Sequence, residues 1–150
     1  MPHTRDKCRI RCVLLFTNFF LIIAALYHLK PASRSIFISA LGSDYLPYVW
    51  IATALVLGLI IGIYHRQVAR HSRIHVVLAS CAIVIAGLVG FHLNLGAGGF
   101  AQAFAFYIFV DMLSVILVEQ FWSLTNTIFS TADGRRWYGL IATGGLLGGV

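Results

Sequence analysis

Long apolar segments are the feature of this sequence that most restricts its fold. Four of them, at residues 12–29, 45–64, 74–95 and 100–122, carry few charges or none. A helix that crosses the hydrocarbon core of a membrane needs roughly 17 to 25 mostly apolar residues, which is the length of each segment. The mean hydropathy of +0.87 and the charged fraction of 11% also lie outside the usual range for soluble domains. The sequence therefore predicts an all-α, polytopic bundle of transmembrane helices.

A fifth apolar segment begins near Gly139 and runs to Val150. At 1.5 Å per residue it is too short to cross a core of roughly 30 Å. We therefore expect the chain to be part of a longer protein that supplies further helices. In domain terms, residues 1–11 form a basic N-terminal arm and residues 12–150 form the transmembrane bundle.

Basic residues are distributed unevenly over the predicted loops. The N-terminal arm, the second loop and the fourth loop are rich in arginine and lysine, whereas the opposite side has only Lys30 and Arg34. Positively charged loops usually stay in the cytoplasm. We therefore expect a cytoplasmic N-terminus, and we interpret the net charge of +6 as an orientation signal rather than a nucleic-acid-binding surface.

Two loops on the outer side have distinctive residues. Pro31 favours a helix end, so the first connection is expected to run from Lys30 to Asp44. Residues 96–99 are predicted to form a glycine turn, since neither a preceding strand nor a following Lys-Ser/Thr pair supports a phosphate-binding loop.

Two carboxylates interrupt the fourth apolar segment. Asp111 lies at the midpoint of the segment, where a charge costs roughly 2.5 to 3.5 kcal/mol on insertion scales. Glu119 lies two turns later. At about 100° per residue, several polar or aromatic residues share an arc of about 140° with these acids. They are Tyr107, Ser114, Trp122, Thr125 and Asn126.

Three interpretations of this stripe remain open. Acids inside a membrane often mark a path for substrates or coupling ions. Alternatively, each acid pairs with a group on a helix outside this chain and holds the bundle together. The third interpretation is an intramembrane enzyme, but the sequence contains neither a HExxH nor a GxSxG motif. We expect no enzymatic activity and no catalytic residues.

Lys30, Arg34 and Trp122 each allow two interpretations. The two cations would attract an anion if they lie at a cavity mouth, or reach lipid headgroups if they lie at the interface. Trp122 would stack on a base or sit in an interfacial aromatic belt.

Metal and cofactor sites are not predicted. His71 and His75 form a ligand-like pair, but arginines surround them and no acid or thiol accompanies them. Cys8 and Cys12 lack further ligands, and acylation of these thiols is the other option.

Several blocks of the chain resemble a known transporter family. They are EQFWSLTNTIF at 119–129, DGRRWYGLI at 133–141 and GGLLGG at 144–149, with weaker similarity in LKP at 29–31, LPY at 46–48 and ATALV at 52–56. These blocks are similar to the first, second, fourth and fifth helices of the ATP/ADP exchange carriers. Those carriers transport nucleotides in plastids and intracellular bacteria and resemble the major facilitator superfamily.

The resemblance implies a fold, an activity and site residues. The chain would be the first four to five helices of a bundle of about twelve, with alternating access around a site at the membrane midplane. Lys30 matches a basic residue of the first helix that matters for transport, and Glu119 matches an acid of the fourth helix. Residues 31–34 differ from the acid and second lysine of the plastid members, which leaves the substrate open.

The expected function is exchange of ATP, ADP or another organic anion across a bacterial inner (plasma) membrane. The residues expected to bind substrate or coupling ions are Lys30, Arg34, Asp111, Glu119, Trp122 and Asn126. The expected partners are the lipid bilayer, an anionic small molecule and the further helices of the same protein. The competing hypothesis is a non-transporting scaffold that packs on partner helices through small-residue faces.

Overall fold

The computed structural model describes residues 2–70, 73–94, 99–129 and 131–150. These residues form five α-helices and one 3₁₀ turn, and the described residues contain no strand. The helices are α1 (Pro2–Leu41), α2 (Leu46–Arg70), α3 (Arg73–Asn94), α4 (Phe100–Ile128) and α5 (Thr131–Gly148), with the 3₁₀ turn at Ser43–Tyr45. The predicted all-α fold is confirmed.

Four of these helices are long and apolar enough to cross a membrane. The candidate spans are Cys8–Leu41, Ser43–Tyr64, His75–Asn94 and Phe100–Ile128. In lipid every backbone polar group must be satisfied within the protein, which continuous helices achieve. The chain is therefore a multi-pass membrane protein with at least four spans in its described part.

The predicted end of the first helix at Pro31 is wrong. Helix α1 continues through Pro31 to Leu41, although proline cannot donate the helical hydrogen bond to the Tyr27 carbonyl. The helix ends instead at Gly42, whose φ of 85° lies in the left-handed region and whose N–H donates to the Ile38 carbonyl at 2.9 Å. That glycine is the usual C-terminal signal of a helix, and the predicted long outer connection is reduced to residues 42–45.

The fifth helix also begins earlier than predicted. Helix α5 starts at Thr131 rather than near Gly139, so residues 133–136, expected in a loop, are helical. The predicted glycine turn at 96–99 lies outside the described residues except for Gly99.

The chain divides into two compact units, Met1–Leu29 with Leu117–Val150, and Lys30–Ile116. We call them the first and second unit. The first unit has a core of six buried side chains, and the second has a smaller core around an aromatic pair. The core of the first unit consists of Cys12, Leu15, Phe19, Phe121, Phe129 and Ile141. The core of the second consists of Phe37, Val49 and Tyr107.

Glycines bring α5 close to α1 within the first unit. A Cβ atom at Gly144 would lie 2.6 Å from the Phe16 carbonyl oxygen, and one at Gly148 would collide with the Phe20 carbonyl oxygen. Only glycine permits such an approach to a neighbouring backbone. The GGLLGG block of α5 thus packs against α1 within the chain.

Candidate functional site

The candidate site of the second unit centres on a charge pair between α1 and α4. The Lys30 Nζ atom lies 4.0 Å from the Asp111 Oδ1 atom. The two side chains are 38% and 24% exposed, so neither is sealed from its surroundings. This separation exceeds the 2.7–2.9 Å of a tight charge-assisted hydrogen bond. The pair is thus a loose one, which a third charged group can approach.

Both partners lie deep within their helices. Lys30 precedes the end of α1 at Leu41 by 11 residues, and Asp111 follows the start of α4 at Phe100 by the same number. Each charge therefore lies about 16 Å from the nearer end of its helix. The sequence placed Lys30 at the end of a span because Pro31 follows it. The structure places Lys30 inside a continuous apolar helix, facing an acid.

An aromatic cluster holds α1, α2 and α4 together beside this pair. Tyr107, one turn before Asp111, is 2% exposed, and its ring lies 5.1 Å from that of Phe37. The Trp50 Nε1 atom donates a hydrogen bond to the Tyr107 hydroxyl oxygen at 3.1 Å. Ser114 lies three residues after Asp111, and its Oγ atom donates a hydrogen bond to the Asp111 carbonyl oxygen at 2.8 Å. The cluster fixes the helix segments that carry the pair.

Arg34 lies one turn beyond Lys30 on α1. At about 100° per residue the two cations are about 40° apart around the helix and about 6 Å apart along it. Arg34 is exposed, and within the described part of the chain it has no ion-pair partner. It therefore adds a second accessible positive charge on the same face of α1.

The other three predicted site residues belong to the first unit. Glu119 is exposed. Trp122 packs edge-on against three rings, those of Phe19, Phe121 and Tyr138, at centroid distances of 5.6, 5.4 and 5.8 Å. The Asn126 Oδ1 atom accepts a hydrogen bond from the Tyr138 hydroxyl at 2.7 Å. The structure thus brings Trp122 and Asn126 together through their contacts with Tyr138. It separately brings Lys30 close to Asp111.

Sequence reasoning missed two residues that support these groups. Tyr138 belongs to a segment that was expected to begin in a loop, and Trp50 lies on another helix from Tyr107. Neither contact leaves a local signal, because both depend on how helices pack. Tyr107 itself was on the predicted polar stripe.

Metal ligands do not converge in the described part of the chain. No group of three or more His, Cys, Asp or Glu side chains is found there. The predicted pair of His71 and His75 falls partly outside the described residues, since His71 is not among them. Cys8 is half-buried and Cys12 is buried in the core of the first unit.

Comparisons with known proteins give no match: no family model, no curated protein and no solved structure matches this chain.

Proposed function

We propose that this chain forms the N-terminal part of a secondary transporter that exchanges organic anions, with nucleotides of the ATP/ADP type as the first substrates to test. The observation that carries the proposal is the accessible pair of Lys30 and Asp111 inside two apolar helices. The resemblance of residues 119–149 to the ATP/ADP exchange carriers motivates the choice of substrate.

The chemistry of the pair suits a reversible anion site. Charges within membrane-spanning helices are expensive and tend to mark functional paths. At 4.0 Å the attraction between Lys30 and Asp111 is about 4 kcal/mol for an effective dielectric constant of about 20, before the loss of hydration is subtracted. A phosphate group offers Lys30 up to two negative charges and stronger hydrogen bonds. An incoming anion would therefore compete with Asp111 for Lys30.

This competition supplies a cycle for exchange. In the empty state Asp111 keeps the charge of Lys30 compensated. When an anion binds Lys30, with Arg34 as the outlying attractor, Asp111 is released to bind another cationic partner. Alternating access would occur between this half and the further helices that the resemblance implies.

Glu119, Trp122 and Asn126, which belong to the first unit, are the further residues proposed to bind substrate or coupling ions. Glu119 is exposed and carries the coupling role that the resemblance implies. The Tyr138 hydroxyl already engages the Asn126 side-chain oxygen, so the Asn126 amide nitrogen is the atom proposed to meet substrate.

The experiment is uptake of labelled ATP into proteoliposomes that contain the longest natural form of the protein. Vesicles are preloaded with ADP or left empty. We expect uptake to rise with internal ADP, and to fall at least tenfold in Lys30→Gln and in Glu119→Gln. Lys30→Arg keeps the charge and is expected to retain more activity than Lys30→Gln. Arg11→Gln removes an exposed positive charge elsewhere and serves as the matched control.

Two results would contradict the proposal in different ways. Uptake equal to that of protein-free liposomes, with folded protein, rejects ATP as substrate, and a panel of smaller organic anions then tests the wider class. Full exchange by Lys30→Gln rejects the charge pair as the anion site, whatever the substrate.

One observation favours the scaffold hypothesis as the second candidate. Gly58 and Gly62 of α2 are exposed, and a Cβ atom added at either would meet nothing within 4 Å. With Ala54 they form a small-residue face that is open in the second unit. Cysteine at position 111 separates the two functions, since a polar thiol reagent should reach it in a transporter and not in a scaffold.

A further inference from the structure

The hydroxyl group of Thr53 on α2 is buried and makes no hydrogen bond to the described part of the chain. Several other hydroxyl groups in the described helices donate to a carbonyl oxygen of their own helix. They include Ser33 to Lys30, Ser114 to Asp111 and Thr125 to Phe121, at 2.9, 2.8 and 2.8 Å. A buried donor without an acceptor costs free energy, and such groups are rare in folded proteins. The unpaired hydroxyl of Thr53 therefore needs a specific explanation.

Thr53 lies on the side of α2 that faces α1 and α4. Val49, one turn earlier, is fully buried and packs with Phe37 of α1 and Tyr107 of α4. Trp50, the next residue, donates its Nε1–H to the Tyr107 hydroxyl oxygen. At about 100° per residue, Thr53 lies about 40° from Val49 around the helix, between Val49 and Trp50. Its side chain therefore leaves α2 toward the same two helices.

The same step along the other two helices leads from this core to the charge pair. Asp111 lies one turn after Tyr107 on α4, about 40° around the helix. Lys30 lies two turns before Phe37 on α1, about 20° around the helix. These contacts make α1 antiparallel to α4, and the short connection at 42–45 makes α1 antiparallel to α2. Thr53 is thus at the level of the charge pair.

We propose that Thr53 is a third ligand of the anion site, whose hydroxyl group donates a hydrogen bond to an oxygen of the anion that Lys30 binds. The inference rests on the proposed function, because it requires an anion at Lys30. An ammonium group attracts any anion, whereas a hydroxyl donor needs an acceptor atom at a defined position. The two donors together therefore select anions with several oxygens, such as phosphates and carboxylates, over halides.

Access to the hydroxyl goes past the charge pair. Lys30 and Asp111 are partly exposed, so an anion can enter from their side. The Thr53 side chain is half-buried, and rotation about its Cα–Cβ bond moves the hydroxyl between staggered positions. A bound oxygen acceptor recovers the free energy that the unpaired hydroxyl costs in the ligand-free protein. That recovered free energy favours binding of an oxygen-bearing anion.

The test is stabilisation of the full-length protein by ATP, citrate or chloride at equal ionic strength, followed as the melting temperature against anion concentration. We expect ATP or citrate to stabilise wild-type protein and chloride to have no such effect. Thr53→Val keeps the shape of the side chain and should raise the apparent Kd of the stabilising anion about tenfold or more. Thr53→Ser keeps a hydroxyl and should stay within about threefold of wild type.

A second readout separates an anion ligand from a structural hydroxyl. Thr53→Val removes an unsatisfied buried donor, so the melting temperature without anion should be unchanged or higher. Thr143→Val is the matched control in the first unit, where the exposed hydroxyl donates to the Leu140 carbonyl oxygen at 2.6 Å. This substitution should leave the apparent Kd of the anion unchanged.

The outcomes distinguish this inference from the transport proposal. If Lys30→Gln abolishes the stabilisation but Thr53→Val keeps the wild-type Kd, the role of Thr53 is refuted and the charge pair stays the anion site. If neither ATP nor citrate stabilises wild type, or if Lys30→Gln responds like wild type, the anion site itself is rejected and Thr53 with it.

Two further results would also overturn the inference. Equal stabilisation by chloride and by the oxygen-bearing anions would show that no directional donor selects the anion. A Thr53→Val protein that is less stable than wild type without anion, or that does not fold, would show that the hydroxyl supports the structure instead.

Discussion

Lys30 and Asp111 compensate each other's charge within apolar helices. A single charge in an apolar helix has to be compensated, and removing one partner of a desolvated pair leaves the other without compensation. Here both groups keep partial exposure, 38% and 24%, so the penalty is smaller than for a sealed pair. The residues therefore stabilise each other only moderately.

This balance gives a double-mutant prediction at the two positions. Lys30→Gln and Asp111→Asn should each lower the free energy of unfolding by about 1–2 kcal/mol, because each leaves one unpaired charge. The double variant should lose less than the sum, with a coupling of about 0.5–2 kcal/mol. Unfolding of the detergent-solubilised protein by increasing SDS gives the four free energies.

Arg34→Gln is the control for this cycle. Arg34 is exposed one turn away, so its loss should change the free energy of unfolding by no more than about 0.5 kcal/mol. Additive losses in the double variant would mean that Lys30 and Asp111 do not interact in the folded protein.

At the scale of elements, the packing of α5 on α1 depends on backbone approach. Gly144 and Gly148 lie one turn apart on the face of α5 that meets the Phe16 and Phe20 carbonyls. Weak Cα–H···O contacts become possible at such distances. By contrast, Gly139 of the same helix has open space where a Cβ atom would be. A side chain therefore cannot be added at Gly144 or Gly148 without moving α5, whereas Gly139 has room for one.

Alanine substitution should separate these glycines. Gly144→Ala is expected to destabilise the protein by about 1–3 kcal/mol, because the added methyl group overlaps the Phe16 carbonyl and α5 has to move. Gly139→Ala should be neutral or stabilising by up to about 1 kcal/mol, since alanine favours the helix and meets no atom. Melting temperatures of the two variants provide the comparison. Equal destabilisation by both would contradict the close approach of α5.

Helix existence was predictable from hydropathy, whereas several helix ends were not. Pro31 is a strong local signal for a helix end in water, where the freed carbonyl and flanking groups are solvated. Within an apolar helix the alternative to continuing is to expose several backbone groups to lipid, which costs more than the single hydrogen bond lost at proline. The helix therefore runs on to Gly42, a residue whose left-handed conformation ends it.

The candidate site was only partly predictable for the same physical reason. The polar stripe on α4 follows from helical periodicity, so Asp111 and Tyr107 could be selected from the sequence. The partner of Asp111 could not, because Lys30 was expected at a helix end until α1 proved continuous. Contacts such as Trp50 with Tyr107 depend on the order and tilt of the helices, which hydropathy does not encode.

At the scale of the whole molecule, the distribution of arginine and lysine predicts the orientation in the membrane. Successive connections are expected to lie on alternate sides of the membrane. Helix α1 joins α2 through residues 42–45, and α2 ends at Arg70, so these two connections lie at opposite ends of α2. Each of the four apolar helices is long enough to cross once. Residues 42–45 and the α2–α3 connection should therefore face opposite sides.

Cysteine labelling tests this topology directly. In a background without Cys8, Cys12 and Cys81, single cysteines replace Ser43 in the 3₁₀ turn or Arg66 near the end of α2, both exposed positions. Because basic loops are retained in the cytoplasm, we expect a membrane-impermeant maleimide to label Ser43→Cys in intact cells and Arg66→Cys only in permeabilised cells. The reverse pattern would place the basic cluster outside, and labelling of both in intact cells would mean that α2 does not cross the membrane.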